Sequence, residues 1–503
     1  MIEKAETLLT GSRLRAVAVA TAILGLSACS FTPEYTRPEL AVPAALPVAA
    51  GASAAEAAKV AELPWRSYFP DTRLQQLIAT ALEHNRDLRV AVLNIDQLQA
   101  AYQIQNADRF PSLNGVVNGS RARATSSPFA YGNSVQAGVQ VSAYELDLFG
   151  RVKALSEAAS AQVLASEAAR RATHISLVAS VANAYYALWA DRWQQALADQ
   201  TLQTREASLK LLQLKFDNGV LNELDLRSAQ SLVEAARVTQ AQAQRQWAQD
   251  LSALNLLLGQ SAPAALLPPV ANAAALTPLT GSAQAASAQI SATLWPGLSE
   301  LPVGVSSEVL LQRPDIVQAE QALVGANANI GAARAARFPR IALTASAGVA
   351  STSLSGLFDG GLFGASIAPA ISVPLFDAGR TGAAVDAAYV KRDIAVAQYD
   401  KAVQTAFKEV ADALVARSTY ADQAQAQLAQ AQAEAARLRL STLRYDTGVA
   451  SQLDLLDAQR ALFSAQQALI SAQLARQQAH IGVYKALGGG WVADEGRQQA
   501  SAR

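Results

Sequence analysis

Four short stretches in which apolar and small polar residues alternate predict β-strands. The clearest begins at Val135 and reads VQAGVQVSA, with every second residue apolar and Gln, Gly or Ser between them. A period of two places the apolar residues on one face of a strand and the polar residues on the other. We expect strands at about 113–124, 135–148, 340–351 and 362–376. A length of about ten residues suits a tilted strand that crosses a membrane.

Two long runs without glycine or proline predict very long helices. Sixty-eight residues separate Gly150 from Gly219, and 65 separate Gly382 from Gly448. Both runs are rich in Ala, Gln, Leu and Glu, a composition that favours helix. At 1.5 Å per residue, a helix of this length would extend roughly 100 Å.

Each long run ends in a similar hinge, which reads FDNGVLNELDLRSAQ in one place and YDTGVASQLDLLDAQ in the other. Gly219 and Gly448 can adopt the left-handed conformation that ends a helix. The NELD and SQLD segments that follow resemble capping boxes that begin the next helix. The sequence therefore predicts two antiparallel helical hairpins, at 150–258 and 380–488.

The hinges belong to a tandem duplication of the whole chain. Gly219 aligns with Gly448 at an offset of 229, and RFP at Arg109 aligns with RFP at Arg337 at an offset of 228. Each copy contains a strand pair followed by a long helical hairpin. We expect a first repeat at 71–259, a linker at 260–305 and a second repeat at 306–488. Two copies are too few for a solenoid, which needs about three or more.

Composition excludes several classes of function. Forty-one basic residues balance 41 acidic ones, and only 16% of residues are charged, so nothing indicates a nucleic-acid partner. Three scattered histidines and one cysteine provide no material for a His/Cys metal site or for a cysteine nucleophile with its base. No convergent polar site or cofactor motif is present, and we expect a protein that is not an enzyme.

The N-terminus resembles a secretory signal of residues 1–28. Its apolar run AVAVATAILGLSA, from Ala16 to Ala28, is thirteen residues long and too short to span a bilayer. The run ends in LSAC, which resembles a lipobox and predicts cleavage before Cys29 with acylation of that residue. The alternative is an ordinary signal peptide or a buried helix with an incidental cysteine. Ser30, rather than aspartate, follows Cys29, which by resemblance to known sorting rules indicates the outer membrane.

Four strands are too few to close a membrane barrel. About eight is the usual minimum, and open sheet edges are not tolerated in lipid. A barrel built from these strands must therefore be shared between copies of the chain.

These features together resemble the TolC-type outer-membrane factors of tripartite, RND-type efflux systems, in their lipoprotein (NodT-like and OprM-like) branch. The sequence motifs that carry the resemblance are ARFP, ELDLFGR, LFDAGR, YDTG and LDLLDAQR. The resemblance implies a mainly α fold with a membrane β-barrel, in which a homotrimer forms a shared twelve-strand barrel and a twelve-helix periplasmic tunnel. It also implies that residues 29–70, 260–305 and 489–503 form the anchor and the equatorial belt around that tunnel.

The resemblance further implies a passive exit duct for drugs or other small molecules, located in the outer membrane and extending into the periplasm. Its partners would be outer-membrane lipid, a periplasmic adaptor that docks at the hinges, and an inner-membrane RND-type pump. A conduit for type I protein secretion remains an alternative. A structural envelope lipoprotein or an adaptor is a second alternative, although adaptors normally carry one hairpin and no membrane strands.

In this family the helices after the hinges close the periplasmic end of the duct. The resemblance predicts that Asp454 and Asp457, three residues apart on one helix face, form the gate together with Leu453 and Leu456. Asp454 has a second interpretation as a helix cap, and Asp457 could instead pair with Arg460.

Family members also tie the hinges shut with polar links. The tyrosine of YDTG, here Tyr445, would reach the aspartate of the first hinge, here Asp225. The chain departs from the family at Ala450, where arginine is common, and Leu224 lacks the hydroxyl that would receive that arginine.

Overall fold

The computed structural model describes residues 30–39, 42–43, 64–123, 125, 131–272, 295–299, 307–358 and 362–489. These residues form eight α-helices and four β-strands. The helices are α1 (Trp65–Tyr68), α2 (Thr72–His84), α3 (Arg86–Ala107), α4 (Arg151–Asp217), α5 (Glu223–Leu258), α6 (Pro314–Ala335), α7 (Arg380–Asp446) and α8 (Gln452–Ala486). The strands are β1 (Leu113–Arg123), β2 (Tyr131–Glu145), β3 (Arg340–Ser351) and β4 (Leu362–Ser372). The predicted signal peptide, Cys29, most of the linker and the C-terminal tail lie outside the described residues.

The two predicted repeats of strand pair and helical hairpin are confirmed. Helices α4 and α7 each contain 67 residues, and the helices that follow them, α5 and α8, contain 36 and 35. Both long helices are unbroken because neither contains a proline, and Gly382 of α7 lies in its first turn. No helix in the described part of the chain combines the length and the apolar character needed to cross a membrane.

The strands form one antiparallel sheet in the order β1-β2-β3-β4. The central pairing, β2 with β3, joins the two repeats. Strand β2 begins at Tyr131, four residues before the predicted start, because its first residue pairs with Arg123 of β1. Strand β4 ends at Ser372, before the predicted 376, because Ser372 pairs with Arg340, the first residue of β3.

Two glycines face each other where the repeats meet in the sheet. Gly138 of β2 is the register partner of Gly348 of β3. A Cβ atom added to either glycine would overlap the backbone of the opposite strand, at Ala347 or at Ala137. The close approach of these two strands therefore requires glycine at both positions.

The chain divides into two compact units. The first comprises Met1–Glu39, Leu93–Ala168 and Val317–Lys401, and it contains the sheet. The second comprises Leu40–Val92, Ala169–Ile316 and Ala402–Arg503. Buried aromatic residues fill the core of the second unit, where Tyr68 stacks on Tyr484 at 4.5 Å and donates a hydrogen bond to the carbonyl of His480.

In each repeat, one side chain at an equivalent position donates a hydrogen bond to the C-terminal end of the second hairpin helix. Asn85 donates from Nδ2 to the carbonyl of Leu257 at 2.9 Å. At the corresponding place in the second repeat, Arg313 donates to the carbonyl of Ala486 at 2.6 Å. The last carbonyls of a helix lack partners within the helix, so both contacts satisfy a group that folding would otherwise leave unpaired.

Candidate functional site

Both hinges end their long helix with the same backbone motif. Gly219 and Gly448 have φ angles of 71° and 76°, the left-handed conformation expected of them. The next residue in each hinge donates its N–H to a carbonyl five residues earlier, from Val220 to Lys215 and from Val449 to Arg444. This is the Schellman arrangement, and it turns the chain sharply at the end of α4 and of α7.

The helices after the hinges begin with side-chain caps, as their sequences indicate. Ser451 and Asp454 form a reciprocal capping box at the start of α8. In the first hinge Asn222 caps α5 by accepting from the N–H of Asp225, and its amide donates to the Asp225 carboxylate. Hydrogen bonds from the Ser451 hydroxyl and backbone N–H hold the pKa of Asp454 below its ordinary value. Asp454 therefore has the capping role, and a gate role for it stays a prediction.

Asp457 forms an ion pair within its own hairpin. Its carboxylate accepts from the guanidinium of Arg437 in α7 at 2.9 Å, and Arg437 also contacts Glu434. The partner is thus on the neighbouring helix, and it is not the Arg460 considered from the sequence. In the first repeat the equivalent position holds Ser228, whose hydroxyl donates to the carbonyl of Leu224. The cluster formed by Asp457, Arg437 and Glu434 therefore belongs to the second hairpin.

The two leucines predicted to line the gate lie in different environments. The exposed fraction of Leu453 is 62%, whereas that of Leu456 is 5%. Residues three apart on a helix are separated by about 60° around its axis, so packing can cover one and leave the other exposed. Leu456 belongs to the interior of the protomer, so of the two only Leu453 is available to line an opening.

The predicted link between Tyr445 and Asp225 stays a prediction, and within the protomer both side chains have other hydrogen-bond partners. The Tyr445 hydroxyl instead accepts from Lys215 Nζ at 3.3 Å, and the ring centre lies 5.4 Å from the same ammonium. Asp225 is occupied by the cap of α5. A lysine in the last turn of α4 also interacts favourably with the negative end of that helix. Within the protomer Tyr445 therefore joins α7 to α4 through Lys215.

Sequence reasoning missed an apolar pattern that surrounds both hinges. Four aliphatic side chains at each hinge are more than half exposed, and each has an equivalent at an offset of 229. We call them the tip residues, and they are Leu211, Leu214, Val220 and Leu224 in the first repeat and Leu440, Leu443, Val449 and Leu453 in the second. The constant offset was the signal that could have found them, since the same residue type recurs at every one of the four positions.

The segment after Cys29 was also missed, and it is docked along helix α6. We call residues 31–37 the strap. Phe31 stacks on Phe338 at 4.4 Å, and Phe338 in turn stacks on Phe149 at 5.1 Å. Phe149 precedes α4 and Phe338 precedes β3, so the strap begins at the boundary between helices and strands.

Polar contacts continue along the strap. Asn327 donates to the carbonyl of Pro33 at 2.7 Å, and Gly331 leaves room for Thr32, which an added Cβ would overlap. Glu320 is buried and accepts two hydrogen bonds from Arg37, at 2.7 and 2.9 Å. It also accepts one from the Tyr35 hydroxyl, and burial together with this carboxylate raises the pKa of Tyr35 to about 12. The first repeat holds Val92 at the position of Glu320, so α3 lacks the main acceptor of this site.

Known proteins match nearly the whole chain. The family described as "Outer membrane efflux protein" matches residues 77–260 and 305–489, one segment for each repeat. The chain is 46% identical over 497 residues to the probable efflux pump outer membrane protein TtgC of Pseudomonas putida, covering 97% of this chain and 98% of the relative. It is 41% identical to the outer membrane protein OprJ of Pseudomonas aeruginosa, covering 94% and 95%.

The fold is also that of a solved channel. The structure of the open state of the MtrE outer membrane channel of Neisseria gonorrhoeae superimposes with a TM-score of 0.80 at 39% identity, covering 92% of this chain and 98% of that one. The chain therefore belongs to the outer membrane efflux protein family, whose members are channels of the outer membrane.

Proposed function

We propose that this protein is the passive exit duct of a tripartite efflux pump, carrying small molecules across the periplasm and the outer membrane. The observation that carries the proposal is the match of both repeats to one family of efflux proteins. Relatives whose names specify efflux support this function over the protein-secretion alternative. The work of transport would come from an inner-membrane RND-type pump.

Assembly as a homotrimer is supported by the open sheet. Strands β1 and β4 are the two edges, and each lies next to a single strand in the described chain. Unpaired N–H and C=O groups cannot remain exposed in hydrocarbon. Pairing β4 of one protomer with β1 of the next satisfies both edges, and three chains of four strands give a closed ring of twelve.

The tip residues are proposed as the docking site of the periplasmic adaptor. They remain exposed after each hairpin has folded, and the same four side chains are repeated at both hinges. Clustered exposed aliphatic residues mark interaction sites on soluble surfaces. A trimer would present six such tips, so an adaptor that recognises one tip can bind in six copies around the end of the duct.

Replacing two tip residues should abolish efflux without affecting assembly. We expect Leu224→Gln with Leu453→Gln to restore drug sensitivity, because the polar amides must be desolvated at the adaptor interface. The measurement is drug susceptibility in a strain that lacks its own outer-membrane duct, with trimer mass determined in detergent. Leu256→Gln is the matched control, since this leucine is also exposed and its equivalent in the second repeat is Lys485. Normal efflux with both tip leucines replaced would contradict the proposed docking site. Drug sensitivity in the strain carrying the parent protein would contradict the proposed efflux function.

Acylation of Cys29 is proposed from the position of the strap. Cys29 is two residues before Phe31 in the sequence, and Phe31 packs at the boundary between helices and strands. Two or more acyl chains at this level would enter the membrane beside the barrel and suffice for stable anchoring.

Intact mass measurement of the mature protein should show Cys29 at the N-terminus with acyl chains attached. Glu320→Ala should leave that mass increment unchanged but release the strap, because hydrogen bonds to a charged group contribute about 1.5–3 kcal/mol. Chymotrypsin should then cleave after Tyr35, which is followed by threonine, roughly tenfold faster or more. Glu157→Ala, which removes an exposed carboxylate paired with Lys153, serves as the control. Detection of unmodified Cys29 would contradict the proposed lipid anchor. An unchanged cleavage rate in Glu320→Ala would show that Glu320 does not hold the strap.

The gate is proposed to depend on Asp457 together with Arg437. Three copies of Asp457 at the narrow end of a trimer would attract cations, while each Arg437 offsets part of that charge. Asp457→Asn should therefore reduce both cation selectivity and block by a trivalent cation in planar-bilayer conductance, and Arg437→Gln should increase both. Ser228→Asn, at the equivalent position of the first repeat, should change neither. If all three variants conduct and are blocked as the parent is, the pair is an ordinary ion pair on the helix surface.

A further inference from the structure

The pairing of β2 with β3 shows how the end of one strand pair meets the start of the next. Within the chain, Val141 of β2 is the register partner of Ala345 of β3. Phe149, just after β2, stacks on Phe338, just before β3, at 5.1 Å, and Phe31 of the strap covers Phe338. We call this contact between the two strand pairs the internal junction.

The free edges of the sheet expose residues whose equivalents are covered at the internal junction. Leu375, after β4, is 94% exposed, whereas Leu146, after β2, is 37% exposed. Leu146 lies against β3, and its backbone N–H donates to the carbonyl of Ile341. Phe110, before β1, is 67% exposed, whereas Phe338, before β3, is 39% exposed. The free edges therefore lack the neighbouring strand pair that is present at the internal junction.

The tandem duplication predicts the register that a neighbouring copy would adopt. At the repeat offset of 228, Leu113 of β1 is equivalent to Ile341 of β3. Their register partners, Val141 and Ile371, are therefore equivalent as well. At the same offset of 228, Val117 of β1 is equivalent to the residue of β3 that pairs with Val141. The internal junction thus places Ile371 of one copy opposite Val117 of the next.

The ion pairs of the internal junction have no counterpart between copies. Glu145 of β2 accepts from Arg151 and contacts Arg340 of β3. The equivalent of Glu145 is Pro374, and the equivalent of Arg340 is Ser112. Neither residue carries a charge, so the contact between copies depends on apolar packing at this level.

The aromatic contact also has a different source between copies. The equivalent of Phe149 is Ala378, which has no ring to place against Phe110 of the next copy. The strap cannot supply that ring, because Phe31 is already stacked at the internal junction. Phe376 lies two residues before Ala378, and its side chain is almost fully exposed in the protomer. It is the aromatic side chain of that segment that can cover Phe110.

We propose that a second copy of this chain covers both free edges, with Phe376 of each copy packed against Phe110 of the next and Ile371 opposite Val117. The inference rests on the proposed trimeric duct and specifies the contact that closes it. Three copies would contain three such contacts, which alternate with three internal junctions around the ring.

A pair of cysteines in the full-length protein tests the register. Ile371→Cys with Val117→Cys should form a disulfide between copies on mild oxidation, because residues directly opposite on antiparallel strands lie within the Cα distance that a disulfide requires. Covalent dimers and trimers should then appear in denaturing, non-reducing electrophoresis. A bond within one protomer is excluded, since β2 and β3 separate β1 from β4. Ile371→Cys with Leu113→Cys is the control, because it is four residues, about 13 Å, out of register. Each single variant keeps Cys29 and should give no cross-link.

The rate of trimer dissociation in detergent tests the aromatic contact. Phe376→Ala and Phe110→Ala should each make dissociation roughly tenfold faster or more, because loss of one copy from a trimer breaks two of these ring contacts. The double variant should dissociate no faster than the single variants, since all three lack the same contact. Phe358→Ala, which removes an exposed ring between β3 and β4, is the control and should dissociate as the parent does.

Two results would overturn the inference while leaving the trimer intact. The first is a trimer that cross-links through Leu113→Cys as well as through Val117→Cys, or through neither. The second is parent-like dissociation of Phe376→Ala, or additive effects of the two phenylalanine substitutions. A parent protein that is monomeric in detergent would instead contradict the proposed trimeric duct itself.

Discussion

Arg313→Ala is expected to lower the free energy of unfolding by about 3 kcal/mol. The side chain of Arg313 is 8% exposed and contacts three acceptors: Asp315 at 2.7 Å, Glu409 at 2.6 Å and the carbonyl of Ala486. Alanine would leave that carbonyl at the end of α8 without its partner and would open a cavity. The two carboxylates stay about half exposed, so water can solvate them, which keeps the loss below that of a fully buried pair.

Asn85→Ala is the matched control, because Asn85 makes the equivalent contact with Leu257 and also caps α3 through the N–H of Leu88. It lacks the ion pairs, so we expect a loss of about 1–2 kcal/mol. Thermal unfolding of both variants in detergent, at matched protein concentration, measures the difference. If the two variants lost equal stability, the ion pairs of Arg313 would contribute nothing beyond the shared contact.

The second large effect concerns Asp191, a carboxylate inside the first hairpin. Its exposed fraction is 7%, and its Oδ2 atom is buried without a hydrogen-bond donor. Burial, followed by the nearby carboxylate of Asp250 in α5, raises the pKa of Asp191 from 3.8 to about 7, against a smaller opposing effect of Arg192. Arg192 itself stacks on Trp247 and donates to Gln195. The second repeat has Tyr420 and Ala479 at the positions of the two acids, so this pair is confined to one hairpin.

Asp191→Asn should stabilise the protein above pH 7 by about 2–4 kcal/mol and change little at pH 4. Between about pH 4 and 7 the unfolded chain has released the proton of Asp191 while the folded chain still holds it. The parent therefore loses stability as the pH rises through this window and regains none above it. Asparagine has no proton to release, so the variant escapes the loss.

Thermal unfolding at pH 4, 6 and 8 checks this expectation. Asp199→Asn is the control, because Asp199 is on the same helix but is exposed and accepts from Gln240. It should show the same pH dependence as the parent. A gain for Asp191→Asn that was equal at pH 4 and pH 8 would mean that packing, and not the carboxyl charge, limits stability at this site.

Local chemistry explains why much of the fold could be predicted. A glycine-free run specifies a long helix, a glycine with φ near 70° specifies where it ends, and Ser451 specifies where the next helix begins, all within a few residues. Strand alternation is local in the same sense, and β3 was predicted with the observed bounds. The ends of β2 and β4 were less accurate, because pairing across strands determines where a ladder stops.

The partners of side chains could not be read in the same way. Asp457 pairs with Arg437, twenty residues away, and Tyr445 meets Lys215, 230 residues away. Such contacts depend on the rotation of each helix about its axis and on which helix packs beside it. For the same reason, the helix positions of Leu453 and Leu456 do not by themselves show that the first is exposed and the second buried.

By itself, the sequence determined the duplication, the two strand pairs, the long hairpins and the hinges, since each follows from residue type and spacing along the chain, and its motifs resemble those of an efflux family. Only the tertiary structure decided that residues 31–37 lie along α6, that Arg313 and Asn85 bind the helix ends of the two repeats, and that Tyr445 contacts Lys215. These contacts join residues far apart in sequence, and they form only after helix packing has fixed which faces meet.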